Sequence, residues 1–187
     1  MNNFIDDYFD ERHEKFNEYM QAFSICYMLQ QDKYEAVLAG GCVRDIFSNR
    51  DFLDIDIATN ATPEQVITSL SIFETKLVGE AFGVVLVRVG GHEYEIATFR
   101  SDVGKSDGRH PDSVKFCSME EDAKRRDFTV NAIFLDPVSN KIYDFVNGLE
   151  DINNNVLRFV GNVEERLQED YLRALRYVRF ACKGYTL

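Results

Sequence analysis

Apolar and polar positions change period several times along the chain, and each change marks an element. Phe9, Phe16, Met20, Phe23 and Tyr27 recur at three-, four- and seven-residue steps, so 9–27 is predicted to be an amphipathic helix with these side chains as its apolar face. The continuous run Ala36-Val37-Leu38-Ala39 meets Gly40-Gly41 and reads as a buried strand ending in a tight turn. Leu53–Thr59 alternates as LDIDIAT, which puts Ile55 and Ile57 on one face of a strand and Asp54 and Asp56 on the other. Thr62-Pro63-Glu64-Gln65 is a capping box with proline at the first helical position, so a helix starts there. Residues 82–89 and 93–100, joined across Gly90-Gly91-His92, predict a β-hairpin. Stretch 101–114 is polar, with two glycines and a proline, and is expected to be a long surface loop. Ser118-Met119-Glu120-Glu121 is a second capping box, opening a short helix toward Arg125-Arg126. Ala132–Asp136 is a short apolar strand that stops at Pro137. From Val163 onward, Leu167, Tyr171, Leu175, Val178 and Cys182 mark one face of a final helix. Strands alternating with helices, a hairpin among them, predict a mixed α/β sheet.

Composition narrows the classes. The chain has 187 residues, 45% of them hydrophobic, which suits one domain, or one plus a fragment. No apolar run approaches the roughly 20 residues needed to span a bilayer, and the acidic start MNNFIDDYFDERHEKF lacks the apolar region of a secretory signal. Cys26, Cys42, Cys117 and Cys182 are scattered without a C-x-x-C pair, which points to reduced thiols and a cytoplasmic setting. With 21 Lys+Arg against 32 Asp+Glu, the net charge of −11 argues against a general polyanion-binding surface. The charge is unevenly spread, however. Asp6, Asp7, Asp10, Glu11 and Glu14 crowd the beginning, whereas Arg158, Arg166, Arg173, Arg176, Arg179 and Lys183 gather at the end.

The sharpest chemical signal is the DID pair. Two carboxylates roughly 4 Å apart repel by about 4 kcal/mol at an effective dielectric near 20. Solvent, a shared proton or a hard cation relieves that repulsion, and Mg²⁺ is commonly held by one or two carboxylates together with substrate phosphates. Taken alone, D-x-D is more often a solvent-facing strand edge. Glu93 and Glu95 also share a strand face, and either could supply a third carboxylate. Gly40-Gly41-Cys42-Val43-Arg44-Asp45 follows a strand and opens a helix, where glycines let backbone N–H groups approach a phosphate and Arg44 could reach the same anion. It is not the dinucleotide fingerprint, because G-x-G-x-x-G is absent. A phosphate-cradling turn followed by paired carboxylates is the layout of metal-assisted phosphoryl or nucleotidyl transfer.

GGCVRD, DIDIATNATPEQV, EIATFRSD, DGRHPDSV, RRDFTVNA and EDYLRALRYVRF occur in this order. Together they resemble class II tRNA nucleotidyltransferases and bacterial poly(A) polymerases, of the polymerase-β-like nucleotidyltransferase superfamily, from about Val37 to Phe180. The resemblance implies an α/β head with a mixed sheet flanked by helices. It divides the chain into an N-terminal helix packed on the head (1–30), the head (31–155) and the start of a helical neck (156–187), with the remainder of that neck and the tRNA-holding portion expected to be missing. Asp54 and Asp56 would bind two Mg²⁺ ions, with Glu95 as the candidate third carboxylate. Gly40, Gly41 and Arg44 would cradle the triphosphate. Arg125 and Arg126 would contact phosphates; the plainer reading of these two is an exposed basic helix end. Asp127 and Asn131 would contact or orient the ribose.

Asp170 and Arg173, three apart on one helix face, would imitate the pairing edge of a base and accept C and A. Arg176 and Arg179 would make further phosphate or structural contacts. Without the other motifs, an intrahelical ladder of Arg166–Asp170, Glu169–Arg173 and Asp170–Arg173 explains that helix equally well. The implied reaction is addition of CMP and AMP from CTP and ATP to a tRNA 3′ end, releasing pyrophosphate. Its rivals are poly(A) synthesis and nucleotide binding without catalysis. No membrane and no obligate protein partner is implied. One departure is Asp144-Phe145-Val146-Asn147-Gly148, with a single glycine where the family carries a double-glycine hinge; Asn tolerates positive φ, so a bend is expected to survive. The loop around Asp107-Gly108-Arg109 favours an enzyme able to add A, and Gly79–Val87 resembles the tRNA-adding branch.

Overall fold

A computed structural model describes residues 4–9, 13–78, 83–104, 113–182 and 184–186. The expectations placed on Asp107-Gly108-Arg109 and on 79–82 lie outside the described residues. Helices α1 (Phe4–Phe9) and α2 (His13–Gln31) precede strand β1 (Ala36–Ala39), helix α3 (Gly41–Phe47), strand β2 (Asp56–Thr59) and helix α4 (Pro63–Ser69). Strands β3 (Glu74–Val78), β4 (Val84–Val89), β5 (His92–Thr98), β6 (Arg100–Val103) and β7 (Ser113–Phe116) follow. Then come α5 (Met119–Arg125), a 3-10 turn at Thr129–Asn131, β8 (Ile133–Asp136), β9 (Lys141–Asp144), α6 (Gly148–Asn153), α7 (Val163–Glu169) and α8 (Leu172–Ala181).

Seven strands form one sheet in the order β3-β4-β5-β2-β1-β8-β9. Its pairs are antiparallel except β2–β5, which runs parallel with Asp56 opposite Glu95 and Ala58 opposite Ala97. The sheet is mixed, as the alternation of elements predicted. β1 is buried on both faces, hence its unbroken apolar run: Leu38 enters the larger core with Ile57, Ile133 and Leu135, while Val37 and Ala39 enter a smaller one with Ala58, Met119, Ala123 and Phe134. Helix α5 therefore covers one end of the second face and leaves the end bearing Asp56 open. Both capping boxes form, at Thr62 and at Ser118, and the β4–β5 hairpin turns at Gly90-Gly91, both at positive φ.

Three expectations are corrected. The aromatic stripe predicted over 9–27 does not form one buried face: Phe9 ends α1 and is in the core, Phe23 is half-buried, and on α2 Phe16, Met20 and Tyr27 are exposed while Ala22, Ile25, Cys26 and Leu29 are buried. Small Ala22 and Cys26 let α2 lie close to the sheet, and the large rings stack outside, Phe23 on Tyr27 with centroids 6.3 Å apart. The segment 101–114 is not all loop, because β6 and β7 pair antiparallel from Arg100↔Phe116 to Val103↔Ser113. Nor is the final helix continuous. Asp170 adopts an extended backbone (φ −151°, ψ 105°) between α7 and α8, which breaks the register between Leu167 and Leu175. α8 then turns Arg173, Tyr177 and Phe180 inward. Phe180 and Tyr177 pack on Phe128, and Tyr177 also on Phe159, while Tyr171, Leu175, Val178 and Cys182 are exposed.

At the single-glycine segment, Asn147 takes the left-handed conformation (φ 61°) just before α6, whose first N–H groups, of Gly148 and Leu149, donate to the Asp144 carboxylate. Gly148 beside it is needed for closeness, since a Cβ there would collide with the Thr129 carbonyl oxygen and Ile133.

Candidate active site

The open end of the second sheet face is the floor of a cleft of about 1150 Å³, large enough for a nucleotide. Every site residue expected from the sequence lines it: Gly40, Gly41, Arg44, Asp54, Asp56, Glu95, Arg125, Arg126, Asp127, Asn131, Asp170, Arg173, Arg176 and Arg179. The floor is small: Ala39, Ala58 and Ala97 lie behind the acidic row and leave room above it.

Parallel pairing creates the acidic side. Asp56 and Glu95 are direct neighbours on β2 and β5, whereas Asp54 lies two residues before Asp56 and outside the strand, which begins at Asp56 rather than at Leu53 as the alternation predicted. Burial, the Glu95 charge and the Asp54 charge push the Asp56 carboxyl above its usual range, although Arg126 opposes them. Glu93 goes elsewhere. It accepts from Arg88 Nη2 (2.6 Å) and lines a smaller, adjoining cleft with Arg88, His92 and Asp54. The two glutamates that the strand pattern left equivalent are thus distinguished by their partners. Among the described residues no set of three Asp, Glu, His or Cys side chains is already gathered as a metal cage. Crowded carboxylates nonetheless fit Mg²⁺, which takes few protein ligands and fills its shell with water and phosphate. Cys42, beneath them, is no nucleophile: burial above all, and Asp56 next, push its thiol up to about 12.

The basic side is built on a residue that the sequence reading missed. Asp122 is buried in α5 and accepts from Arg125 Nη2 (2.7 Å) and Arg126 Nη2 (2.8 Å), one guanidinium per oxygen. Burial would raise its carboxyl, but Arg126, Arg125 and the Arg100 N–H together hold it below the usual range. Arg125 and Arg126 are therefore not a loose basic helix end. Arg126 also lies over the Phe134 ring (4.8 Å) and beside Gly40, where a Cβ would stand 3.4 Å from Nη1. Gly40 has φ 73°, which a residue with a Cβ rarely adopts. Arg100, also unforeseen, joins this cationic wall. The three- and four-residue spacing of Asp122 to Arg125 and Arg126 was a readable signal.

Arg44 is tied down by bidentate bonds to Asp45 (2.9 Å each) and by donation to Asn131 Oδ1 (2.6 Å). Asn131 Nδ2 in turn donates to Asp127 Oδ1 (3.1 Å), so the turn after β1 and the RRDFTVN segment form one polar network.

At the cleft's other wall Arg173 is buried. Its Nη1 donates to Glu169 Oε2 (2.7 Å) and the Arg166 carbonyl (3.0 Å), and its Nη2 to the Arg125 carbonyl (3.2 Å). Glu169–Arg173 is one rung of the ladder considered above. Asp170 instead accepts from the Leu172 N–H (2.9 Å) at the break between helices, so Asp170 and Arg173 do not share one helix face.

A family model described as the poly A polymerase head domain matches residues 36–158. The CCA-adding enzyme of Oceanobacillus iheyensis is 44% identical over 172 residues, covering 90% of this chain and 42% of that protein. The CCA-adding enzyme of Staphylococcus aureus is 44% identical over 161 residues, covering 86% and 40%. Among solved structures, the Bacillus stearothermophilus CCA-adding enzyme in complex with CTP superposes with a TM-score of 0.76 at 43% identity, over 87% of this chain and 38% of that one. A tRNA nucleotidyltransferase complexed with a primer tRNA and an incoming ATP analog gives 0.67 at 26%, over 84% and 44%. The chain thus spans 40–42% of the length of these curated relatives. No described helix is long and apolar enough to cross a membrane.

Proposed function

Because the chain belongs to the poly A polymerase head-domain family, we propose that it is the catalytic head of an enzyme that adds CMP and AMP, from CTP and ATP, to tRNA 3′ ends. The observation that carries this reading is one cleft with an acidic floor edge at Asp54, Asp56 and Glu95 and a cationic wall at Arg100, Arg125 and Arg126. In this reading residues 31–155 are the head, 1–30 pack upon it, and 156–187 begin the nucleotide-selecting neck.

Two Mg²⁺ ions held by Asp54 and Asp56, with Glu95 beside them, would supply charge neutralisation on the triphosphate and activation of the acceptor hydroxyl. The chain's own work is positioning. The Gly40-Gly41 turn leaves space for the triphosphate against Arg126. Arg125 and Arg126, fixed by Asp122, meet the charge that grows on departing pyrophosphate without having to reorient. Asp127, fixed by Asn131, offers an oxygen to the ribose. Asp170 and Arg173 would read the base edge from the junction between the two last helices. Arg173 keeps Nε and one Nη2 hydrogen beyond its three internal bonds, and Asp170 keeps Oδ2. Arg44 and Arg179 support the phosphate end.

The test is incubation with tRNA lacking its CCA end, Mg²⁺, and CTP or ATP separately, alongside calorimetric binding of each nucleotide. Incorporation of CMP, then AMP, is expected. Use of ATP alone would turn the reading to poly(A) synthesis, and binding without incorporation into any RNA would make the chain a nucleotide-binding module. Asp170→Ala or Arg173→Ala is expected to loosen nucleotide choice. Unchanged discrimination between CTP and UTP would assign that segment to the salt-bridge ladder instead.

A further inference from the structure

Asp127 stands immediately after the paired arginines and is 7% exposed. Its two oxygens are used very differently. Oδ1 accepts from the Phe128 N–H (2.8 Å) and from Asn131 Nδ2 (3.1 Å), which fixes the plane of the carboxylate. Oδ2 receives no aligned hydrogen-bond donor among the described residues. It is nevertheless covered, because Arg176 Nη2 stands 2.9 Å away as an ion-pair partner. Arg176 is the exposed member of that pair. Its side chain is 53% exposed, and among the described residues it forms no other ion pair. Arg173, one turn earlier on α8, is buried and held by three hydrogen bonds. One arginine of α8 is built in, and the other lies across the cleft with a single tether.

We infer that Arg176 is a displaceable latch: it occupies the free oxygen of Asp127 until a nucleotide's sugar hydroxyl takes that oxygen over. The inference rests on the cleft being a nucleotide site, as proposed above. An immobile buried carboxylate with one unaligned partner accepts a better-aligned donor readily, and a hydroxyl donating to a charged oxygen forms a strong, short bond. The displaced guanidinium loses little, because it is already half in water. Nucleotide arrival then cuts a tie between α8 and the segment after α5, so occupancy of the sugar site is passed to the helix that carries Arg173.

The test is calorimetric binding of CTP and of 2′,3′-dideoxy-CTP to the full chain in Mg²⁺, without acceptor RNA, for wild type and Arg176→Gln. The latch predicts that Arg176→Gln binds CTP about two- to fivefold more tightly, the scale of a half-exposed ion pair. The dideoxynucleotide, which has no hydroxyl to exchange for Arg176, is expected to bind wild type and variant alike. Arg176→Lys, which keeps the charge, is expected to fall between them. Weaker CTP binding by Arg176→Gln would show Arg176 to be a direct nucleotide ligand and overturn the latch. An equal change for both nucleotides would overturn it in favour of a structural role on α8. If wild type binds neither nucleotide, the nucleotide-site reading itself fails, and the latch with it.

Discussion

The carboxylates of the β2–β5 edge and the carboxylate of α5 face the same physical problem and meet it in opposite ways. Asp122 is buried and fully matched, with a guanidinium on each oxygen and its acidity strengthened. Asp56 has another carboxylate as its direct cross-strand neighbour, a third two residues before it in the chain, and its acidity weakened. Asp122 spends its charge on architecture and in doing so aims two arginines into the cleft. Asp56, Asp54 and Glu95 crowd together with Arg126 offsetting them in part, a charge arrangement that a bound cation would complete. On the proposed function, the difference separates groups that build the cleft from groups that would act in it.

The strongest way to break this contrast is to remove an acting carboxylate. Asp54→Ala or Asp56→Ala is expected to lower nucleotidyl transfer at least about 10³-fold, since positioned charge in such sites is worth that much, while thermal unfolding shows no loss of stability. Transfer at the wild-type rate by a well-folded Asp54→Ala, Asp56→Ala double variant would remove these residues from the mechanism. Asp122→Ala is expected to do the reverse. It strands two partly buried arginines and should cost about 3–5 kcal/mol in denaturant unfolding; a loss below about 1 kcal/mol would show that the pairing adds little.

Acid titration sharpens the contrast by sign. The Asp56 pKa is raised in the folded state, so its contribution to folding is fully present below the unfolded value of about 3.9 and is lost as pH rises through the folded value. Asp56→Asn should therefore match wild-type stability in acid and exceed it near neutrality. The Asp122 pKa is lowered, so its contribution is present above about 3.9 and is lost as pH falls through the folded value. Asp122→Asn should accordingly be weaker than wild type near neutrality and approach it in acid. Equal pH profiles for the two variants would contradict both environments.

The smallest effect is the finest control. Glu95→Gln should slow transfer, whereas Glu93→Gln, two residues away on the same strand face, should leave it within about twofold and shift stability by no more than about 0.5 kcal/mol. An equal loss of rate in the two variants would erase the distinction that their partners draw.

Much of this was legible from residue order. Both capping boxes, the glycine turn after β1 and the strand from Asp56 onward were read from local rules, and local rules govern them, although that strand starts three residues later than the alternation from Leu53 predicted. The misreadings arose where packing decides. On α2 the aromatic periodicity marks the outer side, because close approach to the sheet selects Ala22 and Cys26 over larger rings. On the last helix a continuous stripe was inferred across Asp170, whose extended backbone no propensity announces. The strand pattern by itself left Glu93 and Glu95 equivalent and the resemblance favoured Glu95; the physical distinction comes from the parallel pairing of β2 with β5, a fact about strands nearly forty residues apart. Asp122 went unnoticed because its spacing to the arginines is also that of an ordinary surface pair.

The parallel register of β2 with β5 also governs which changes of length the chain can absorb in inheritance. The acidic row exists only while Asp56 and Glu95 stay in step, and a one-residue insertion within either strand turns every following side chain to the opposite face. Such an insertion would put a neighbouring residue in the place of Asp56, or of Glu95, without altering either codon. At the Gly90-Gly91 turn an added residue lengthens a loop and leaves the row intact. Length variation in descendants of this sequence should therefore collect at the hairpin tip and be purged from the two strands, and that tip is the place to open the chain when grafting a reporter into it.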